Sequence, residues 1–463
     1  MFKLKLQNFR GFLDNEFTFS RVNILIGENS AGKSSLLKFL LALKQSLRVP
    51  NSRDYNLTFS GEDVDLGNYE EIIYNHEVDR NLSFSFEFGK EYVDFLNENV
   101  PTLTKITGEI NTPTTISFEI SQDLSNHGNV RTMIKNETIG KLEIIPNPNN
   151  NAENNFIMNK PSCDIYFEFT SYPIPLDFEE IEYTKTGFLT GIDLNKIWDT
   201  LQKMAVPMSR IAFLSTAPIY VEYLLETIGY SNNPDFEAAK RIYFKRDKKV
   251  NSSISNIEEL IYLLSGEGSL QGQGLTNFTQ EYIAKLNLFG IVDTIYLKKN
   301  DSTRELRVVI NGIDSNITDV GFGVSLQLPI IAEAILAEKT EFRHRNNNKV
   351  IKKGKMLLIE QPEIHLHPSL QAKFIESLLE LGENNMYFVE THSEHIVRKL
   401  QVLVKEGKYG LKPEDVCIHY FRKENGHIAT TLHTIDGETG KLSPKFPTGF
   451  YDVSTNLAYE LIN

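Results

Sequence analysis

The sequence predicts an α/β fold built on a mixed sheet flanked by helices, and three observations carry that prediction. Residues 27–34 read Gly-Glu-Asn-Ser-Ala-Gly-Lys-Ser, the G-x-x-x-x-G-K-[ST] pattern, set between an apolar run of strand length (Arg21–Ile26) and an apolar-rich helical run (Ser34–Ser46). A second buried-strand run, Lys355–Glu360, ends in an acid, and a third, Met386–Val389, runs into Glu390-Thr391-His392-Ser393. Between these two ends the chain first alternates with period two and then turns helical, so a long insertion, β-rich first and helical after, interrupts the core.

Taken in order, Met1–Phe9 alternates like a strand and opens a β-hairpin; it has no cleavage site, so no signal peptide is expected. The glycine pattern follows. Gly27 and Gly32 allow the tight turn, and backbone N–H groups at the helix start face an anion that the helix dipole also favours. Lys33 then reaches the β- and γ-phosphates of a nucleoside triphosphate, and Ser34 offers a hydroxyl to Mg²⁺. Residues 56–77 are polar and acidic, with turn signals at Ser60-Gly61 and Leu66-Gly67. Strands are expected over Asn81–Phe88, Thr104–Ile110, Thr114–Ile120, Lys141–Ile145 and Cys163–Thr170, with an asparagine-dominated loop over Asn147–Asn159. Helices are expected over Leu194–Met204, Ile219–Ile228, Ile257–Leu264 and Asn277–Leu288, followed by short strands at Ile295–Lys298 and Leu306–Ile310. The resulting division is an N-terminal lobe at 1–90, a β-rich insertion at 91–190, a helical lobe at 191–305 and a C-terminal lobe at 306–463. No fixed-period repeat and no sustained apolar heptads occur, so no long coiled-coil arm is expected.

Composition narrows the class. With 463 residues, 41% of them hydrophobic, the chain can bury a large core in two or three domains. Its net charge of −13 argues against a surface devoted to nucleic acid. No apolar run reaches membrane-spanning length, so no membrane partner is expected. The only cysteines, Cys163 and Cys417, lie far apart, which fits a reduced cytoplasmic protein rather than a disulfide scaffold or zinc site.

The motifs together resemble the ABC-type ATPase head of the SMC, RecF and OLD-like class. Asn8-Phe9-Arg10-Gly11-Phe12 resembles its N-terminal strand motif, and residues 27–35 (GENSAGKSS) its Walker A loop. Asp319-Val320-Gly321-Phe322-Gly323-Val324-Ser325 resembles its signature loop, residues 359–368 (IEQPEIHLHP) its Walker B and D-loop, and residues 390–393 (ETHS) its histidine switch. Residues 446–452 (FPTGFYD) resemble a terminal motif of some stand-alone bacterial ATPases, a group that includes the ATPase components of the Septu and PARIS anti-phage systems. The resemblance covers both ends of the chain and leaves residues 90–300 unmatched.

The resemblance implies roles. Asn29, Ser30, Gly32, Lys33, Ser34 and Ser35 bind ATP; Ser34 and Glu360 share Mg²⁺; Gly323 and Ser325 touch the γ-phosphate of an ATP held by a second subunit; His392 senses that phosphate. Two heads then sandwich two ATP molecules, giving a homodimer or higher homo-oligomer. Arg10 is either a nucleotide contact or a strand-end arginine in solvent. One position departs from the pattern. Many ABC heads follow the Mg²⁺ acid with a glutamate that polarises the attacking water, and here the residue is Gln361. An amide orients water but accepts no proton, so hydrolysis is expected to be slow, or to draw on Glu363 or Glu390. His365 and His367 read as D-loop residues, with a metal pair as the alternative. The basic run Glu338–Lys355 reads as a solvated loop or, alternatively, a nucleic-acid site.

Every strong motif serves ATP, and no nuclease block or metal cluster stands out. The expected function is therefore an ATP-driven switch and scaffold controlling a separate effector, a nuclease or toxin, in anti-phage defence. A RecF-like repair ATPase that binds DNA directly is the main alternative, and a nuclease using carboxylates within 90–300 a further one.

Overall fold

The computed structural model describes residues 2–46, 59–61, 63–89, 113–121, 131–136, 140–146, 163–168, 221, 224–225, 227–231, 257–266, 270–299, 304–343, 350–447, 450–451 and 460. The strand expected over Thr104–Ile110, the loop over Asn147–Asn159 and the helix over Leu194–Met204 lie outside these residues.

The chain begins with β1 (Phe2–Phe9), β2 (Phe12–Phe19), β3 (Val22–Gly27), α1 (Lys33–Ser46) and the short α2 (Tyr69–Ile72). Six strands follow: β4 (Leu82–Phe88), β5 (Thr114–Ile120), β6 (Arg131–Asn136), β7 (Gly140–Pro146), β8 (Cys163–Glu168) and β9 (Ile228–Ser231). Next come α3 (Ile257–Leu264), α4 (Gln273–Leu288), β10 (Thr294–Lys299), β11 (Arg304–Ile310), β12 (Ile313–Asn316) and α5 (Phe322–Lys339). The C-terminal part holds β13 (Glu341–Arg343), β14 (Val350–Lys353), β15 (Met356–Glu360), α6 (Pro368–Glu380), β16 (Met386–Glu390), α7 (Glu394–Glu406), β17 (Val416–Glu424), β18 (His427–Ile435) and β19 (Leu442–Ser443).

The α/β architecture is the one the sequence predicts. One seven-stranded sheet is antiparallel in the order β2-β1-β4-β5-β6-β7-β8; the other is mixed, in the order β19-β18-β17-β3-β16-β15-β9. In the mixed sheet β17, β3, β16, β15 and β9 run parallel, and β18 and β19 add an antiparallel edge. The opening hairpin and the strand at 82–88 stand side by side in the antiparallel sheet. Strands β6, β9, β12, β13, β14, β17, β18 and β19 are absent from the sequence-based reading. The helix expected over Ile219–Ile228 is corrected at its end: Val221, Leu224 and Leu225 are helical, but Ile228 starts β9, which pairs with β15. A short apolar run fits either period, and here sheet pairing decides.

Helix α1 lies between the two sheets, which explains an apolar content that leaves it no fully exposed face. On the antiparallel sheet Phe2, Leu4 and Leu6, and Leu82, Phe84, Phe86 and Phe88, point into this layer by strict alternation. Leu25, Leu358 and Phe388 meet them from the mixed sheet. The odd-even partners Ile24, Ile26, Ile359 and Val389 face the opposite side, where α5, α6 and α7 cover them. Burial on both faces is why β3, β15 and β16 read as continuous apolar runs. Each buried phenylalanine contributes about 1.5–3 kcal/mol relative to exposure. A further core joins α3, α4 and the three-stranded sheet β10-β11-β12 to the second face of α5.

Candidate functional site

The loop between β3 and α1 sits at the C-terminal ends of the parallel strands, where open α/β sheets form their ligand crevices. Gly27 has φ +141°, and a Cβ there would lie 2.0 Å from the Phe421 carbonyl oxygen of β17. Only glycine allows that approach, and the Phe421 carbonyl in turn accepts the Glu28 N–H at 3.0 Å. Gly32 has φ +89° and packs against Ile428 and Phe12. Lys33 is 3% exposed and turns back on its own loop, its Nζ donating to the carbonyls of Gly27 (3.2 Å) and Glu28 (2.7 Å). Burial lowers its pKa, and the charges of Glu390, Glu28 and Glu363 partly oppose that.

Glu360 and Glu363 act on Glu390 as nearby like charges. Strands β15 and β16 pair with Glu360 opposite Glu390, so the two acids end adjacent strands. Glu390 is 2% exposed; its Oε1 accepts the Ser34 hydroxyl at 2.8 Å, and its Oε2 has no hydrogen-bond partner among the described residues. Burial raises its pKa, the Ser34 hydrogen bond lowers it, and the Glu360 charge raises it further. Glu363 accepts the His392 N–H at 2.6 Å, and burial raises its pKa too. It is thus a partly buried acid of the site rather than a plain loop residue. Burial and the Lys33 charge lower the pKa of His392. The Gln361 backbone is left-handed (φ +43°), and its N–H donates to the Glu390 carbonyl at 2.8 Å.

A cleft of about 480 Å³ opens over the loop, lined in part by Ser30, Gly32, Lys33, Ser34, Ser35 and Glu390. Its other wall is the β17–β18 hairpin with Lys423, Gly426, His427 and Ile428. Sequence reading missed this wall, although Asn425-Gly426 between two alternating runs is a strong hairpin signal. Asn29 lies exposed on the crest of the loop. Arg10 points its guanidinium at the Leu66 carbonyl, 3.4 Å away.

The signature residues stand at the start of α5. Ser325 is 1% exposed, and Gly323 packs so tightly that an added Cβ would lie 2.6 Å from the His365 carbonyl oxygen. Both lie in the first turn of α5, with their side-chain positions turned towards the interior of this chain. The exposed residue at this helix start is Gly321, where an added Cβ meets nothing within 4 Å. His367 is the N-cap of α6, its ring nitrogen accepting the Ser369 N–H, which accounts for it without a metal. In the basic run, Lys339 pairs with Glu281, and Lys355 pairs with the buried Glu333 at 2.8 Å.

Among the described residues, no three His, Cys, Asp or Glu side chains form a metal cage. Mg²⁺ takes one or two carboxylates and completes its shell with phosphate oxygens and water. The Ser34 hydroxyl, Glu360 and the unpartnered Glu390 oxygen supply fitting hard donors. No described helix is long and apolar enough to cross a membrane.

Residues 1–397 match the family model described as AAA ATPase domain (AAA_15). No curated protein sequence matches the chain. Among solved structures, the SmcHead bound to the C-winged helix domain of ScpA is similar at a TM-score of 0.43 and 11% identity, over 93% of this chain and 97% of that one. The SMC head domain from Thermotoga maritima gives 0.37 and 11% over 93% and 97%. The Smc head domain with an extended coiled coil, bound to the C-terminal domain of ScpA derived from Pyrococcus furiosus, gives 0.39 and 10% over 100% of both chains.

Proposed function

The chain belongs to the AAA ATPase domain family, and from that premise we propose that it is an ABC-type, SMC- and RecF-like ATP-dependent switch that hydrolyses ATP slowly and controls a separate effector. The observation that carries this reading is the convergence of Lys33, Ser34, Glu390, Glu363 and His392 at the ends of adjacent parallel strands. Those groups hold charge where a triphosphate and its metal need it. When bound, Mg²⁺ would neutralise phosphate charge and orient the γ-phosphate.

Each residue has a defined task in this reading. The loop amides and Lys33 bind phosphates, with Lys33 exchanging the Gly27 and Glu28 carbonyls for phosphate oxygens. Ser34 and Glu360 hold Mg²⁺. His392 reports the γ-phosphate to α7, whose N-cap is the next residue, Ser393. Two heads close on two ATP molecules through the exposed start of α5 at Gly321. We place the protein in the cytoplasm, acting with a nuclease or toxin in anti-phage defence. Co-purification with the product of the neighbouring gene tests the effector. A chain that cuts nucleic acid alone, with a divalent metal, contradicts this reading.

A further inference from the structure

We propose that Glu390 is a metal-site acid of this ATPase: it accepts the hydrogen bond of the Ser34 hydroxyl and, with Ser34 and Glu360, holds the Mg²⁺ of bound ATP. The inference deepens the ATP reading above and rests on it.

The Ser34 hydroxyl needs an acceptor before it can hold a cation. A serine hydroxyl has one proton and two lone pairs. To give a lone pair to a cation it needs an acceptor for its proton, and the Glu390 Oε1, 2.8 Å away, is that acceptor. A carboxylate behind a ligand in this way fixes its orientation and raises its basicity.

Glu390 is 2% exposed, and its Oε2 lacks a hydrogen-bond partner among the described residues. An ionised carboxylate so buried is costly unless it is paired or coordinates a metal. The nearby Lys33 ammonium is directed to the Gly27 and Glu28 carbonyls instead. Glu390 lines the cleft over the phosphate loop together with Lys33, Ser34 and Ser35, so its carboxylate stands beside the place a nucleotide-bound cation would occupy.

β16 lies between β3 and β15, so Glu390 stands between the phosphate loop and Glu360. Two carboxylates with the Ser34 hydroxyl match the ligand count that Mg²⁺ uses beside phosphates.

The test uses the full chain and Glu390→Gln, which keeps the shape and removes the charge. ATP affinity is measured by calorimetry in EDTA and in Mg²⁺, and Mn²⁺ binding to the ATP complex by electron paramagnetic resonance. In EDTA the variant binds ATP more tightly than wild type, because one negative charge beside the triphosphate is gone. The gain on adding Mg²⁺, and the Mn²⁺ affinity, fall by roughly 10–100-fold. Glu390→Asp shifts the carboxylate by one methylene and moves both readouts the same way, by less; it serves if Glu390→Gln does not fold. A variant whose Mg²⁺ gain and Mn²⁺ affinity equal those of wild type overturns the proposal. A wild-type chain that binds no ATP, with or without metal, overturns instead the reading on which it rests.

Discussion

The backbone N–H of Gln361 donates to the carbonyl of Glu390 at 2.8 Å, so the chain leaving β15 turns across the end of β16 instead of running on beside it. This turn sets Gln361, with its left-handed backbone, between Glu360 and the partly buried Glu363. An amide at this place orients water without taking its proton, and slow turnover is expected. Gln361→Glu should raise the steady-state ATPase rate, by up to roughly 10²–10⁴-fold if the missing base is the whole limit. An unchanged or lower rate, with ATP affinity intact, puts the attacking water elsewhere.

A second expectation concerns the loop's geometry. Gly27→Ala would drive a Cβ to 2.0 Å from the Phe421 carbonyl oxygen at φ +141°. Strain and overpacking together should cost about 3 kcal/mol or more. Gly312→Ala is the control: φ is +74° but the space is open, so the cost is about 1–2 kcal/mol from the left-handed backbone alone. Urea midpoints of the two variants give the comparison, and equal losses would mean that the β3–β17 approach is not tight.

How far the sequence discloses this site is instructive. The phosphate loop, β15 and β16 are legible because each is a contiguous run with its chemistry at one end. The Ser34–Glu390 pairing is not legible, because it depends on β16 inserting between β3 and β15, a matter of tertiary order. The burial of Ser325 is hidden for a related reason. α5 packs one face on α6 and α7 and the other on α3 and α4, so no polar stripe marks an outward side. The β17–β18 hairpin was readable from Asn425-Gly426, yet its place as a cleft wall follows only from β17 pairing beside β3.

Assembly should therefore respond to Gly321 rather than Ser325. Gly321 has an ordinary extended backbone and open space around it, so Gly321→Arg should fold and bind ATP normally. It should fail to associate in sedimentation velocity with a non-hydrolysable ATP analogue, because the long side chain occupies the approach of the second head. Ser325→Arg, by contrast, places a cation in the core and should lower the melting temperature. A Gly321→Arg protein that associates like wild type removes α5 from the interface.

His419 gives a pH dependence of definite sign. Its ring is buried against Phe17 and Phe19, its Nε2 donates to the Thr18 carbonyl at 2.9 Å, and burial lowers its pKa to about 4. The unfolded chain takes up this proton near pH 6.5 and the folded chain does not, so its contribution to stability is lost as pH falls from 6.5 towards 4. Between pH 7 and 5 the stability of wild type should drop, relative to His419→Gln, by about 2 kcal/mol. Parallel pH profiles for the two proteins would contradict this.

The account stands most directly on one titration: ATP in Mg²⁺ into the wild-type chain and into Lys33→Ala, followed by calorimetry. Lys33 lines the cleft and is no part of the apolar cores, so its removal should leave the fold intact. The account predicts saturable ATP binding by wild type and a loss of roughly 10–100-fold in the variant, the scale of hydrogen bonds to a charged group. Equal affinities in two folded proteins, or no binding to wild type, would contradict the assignment of the cleft to ATP.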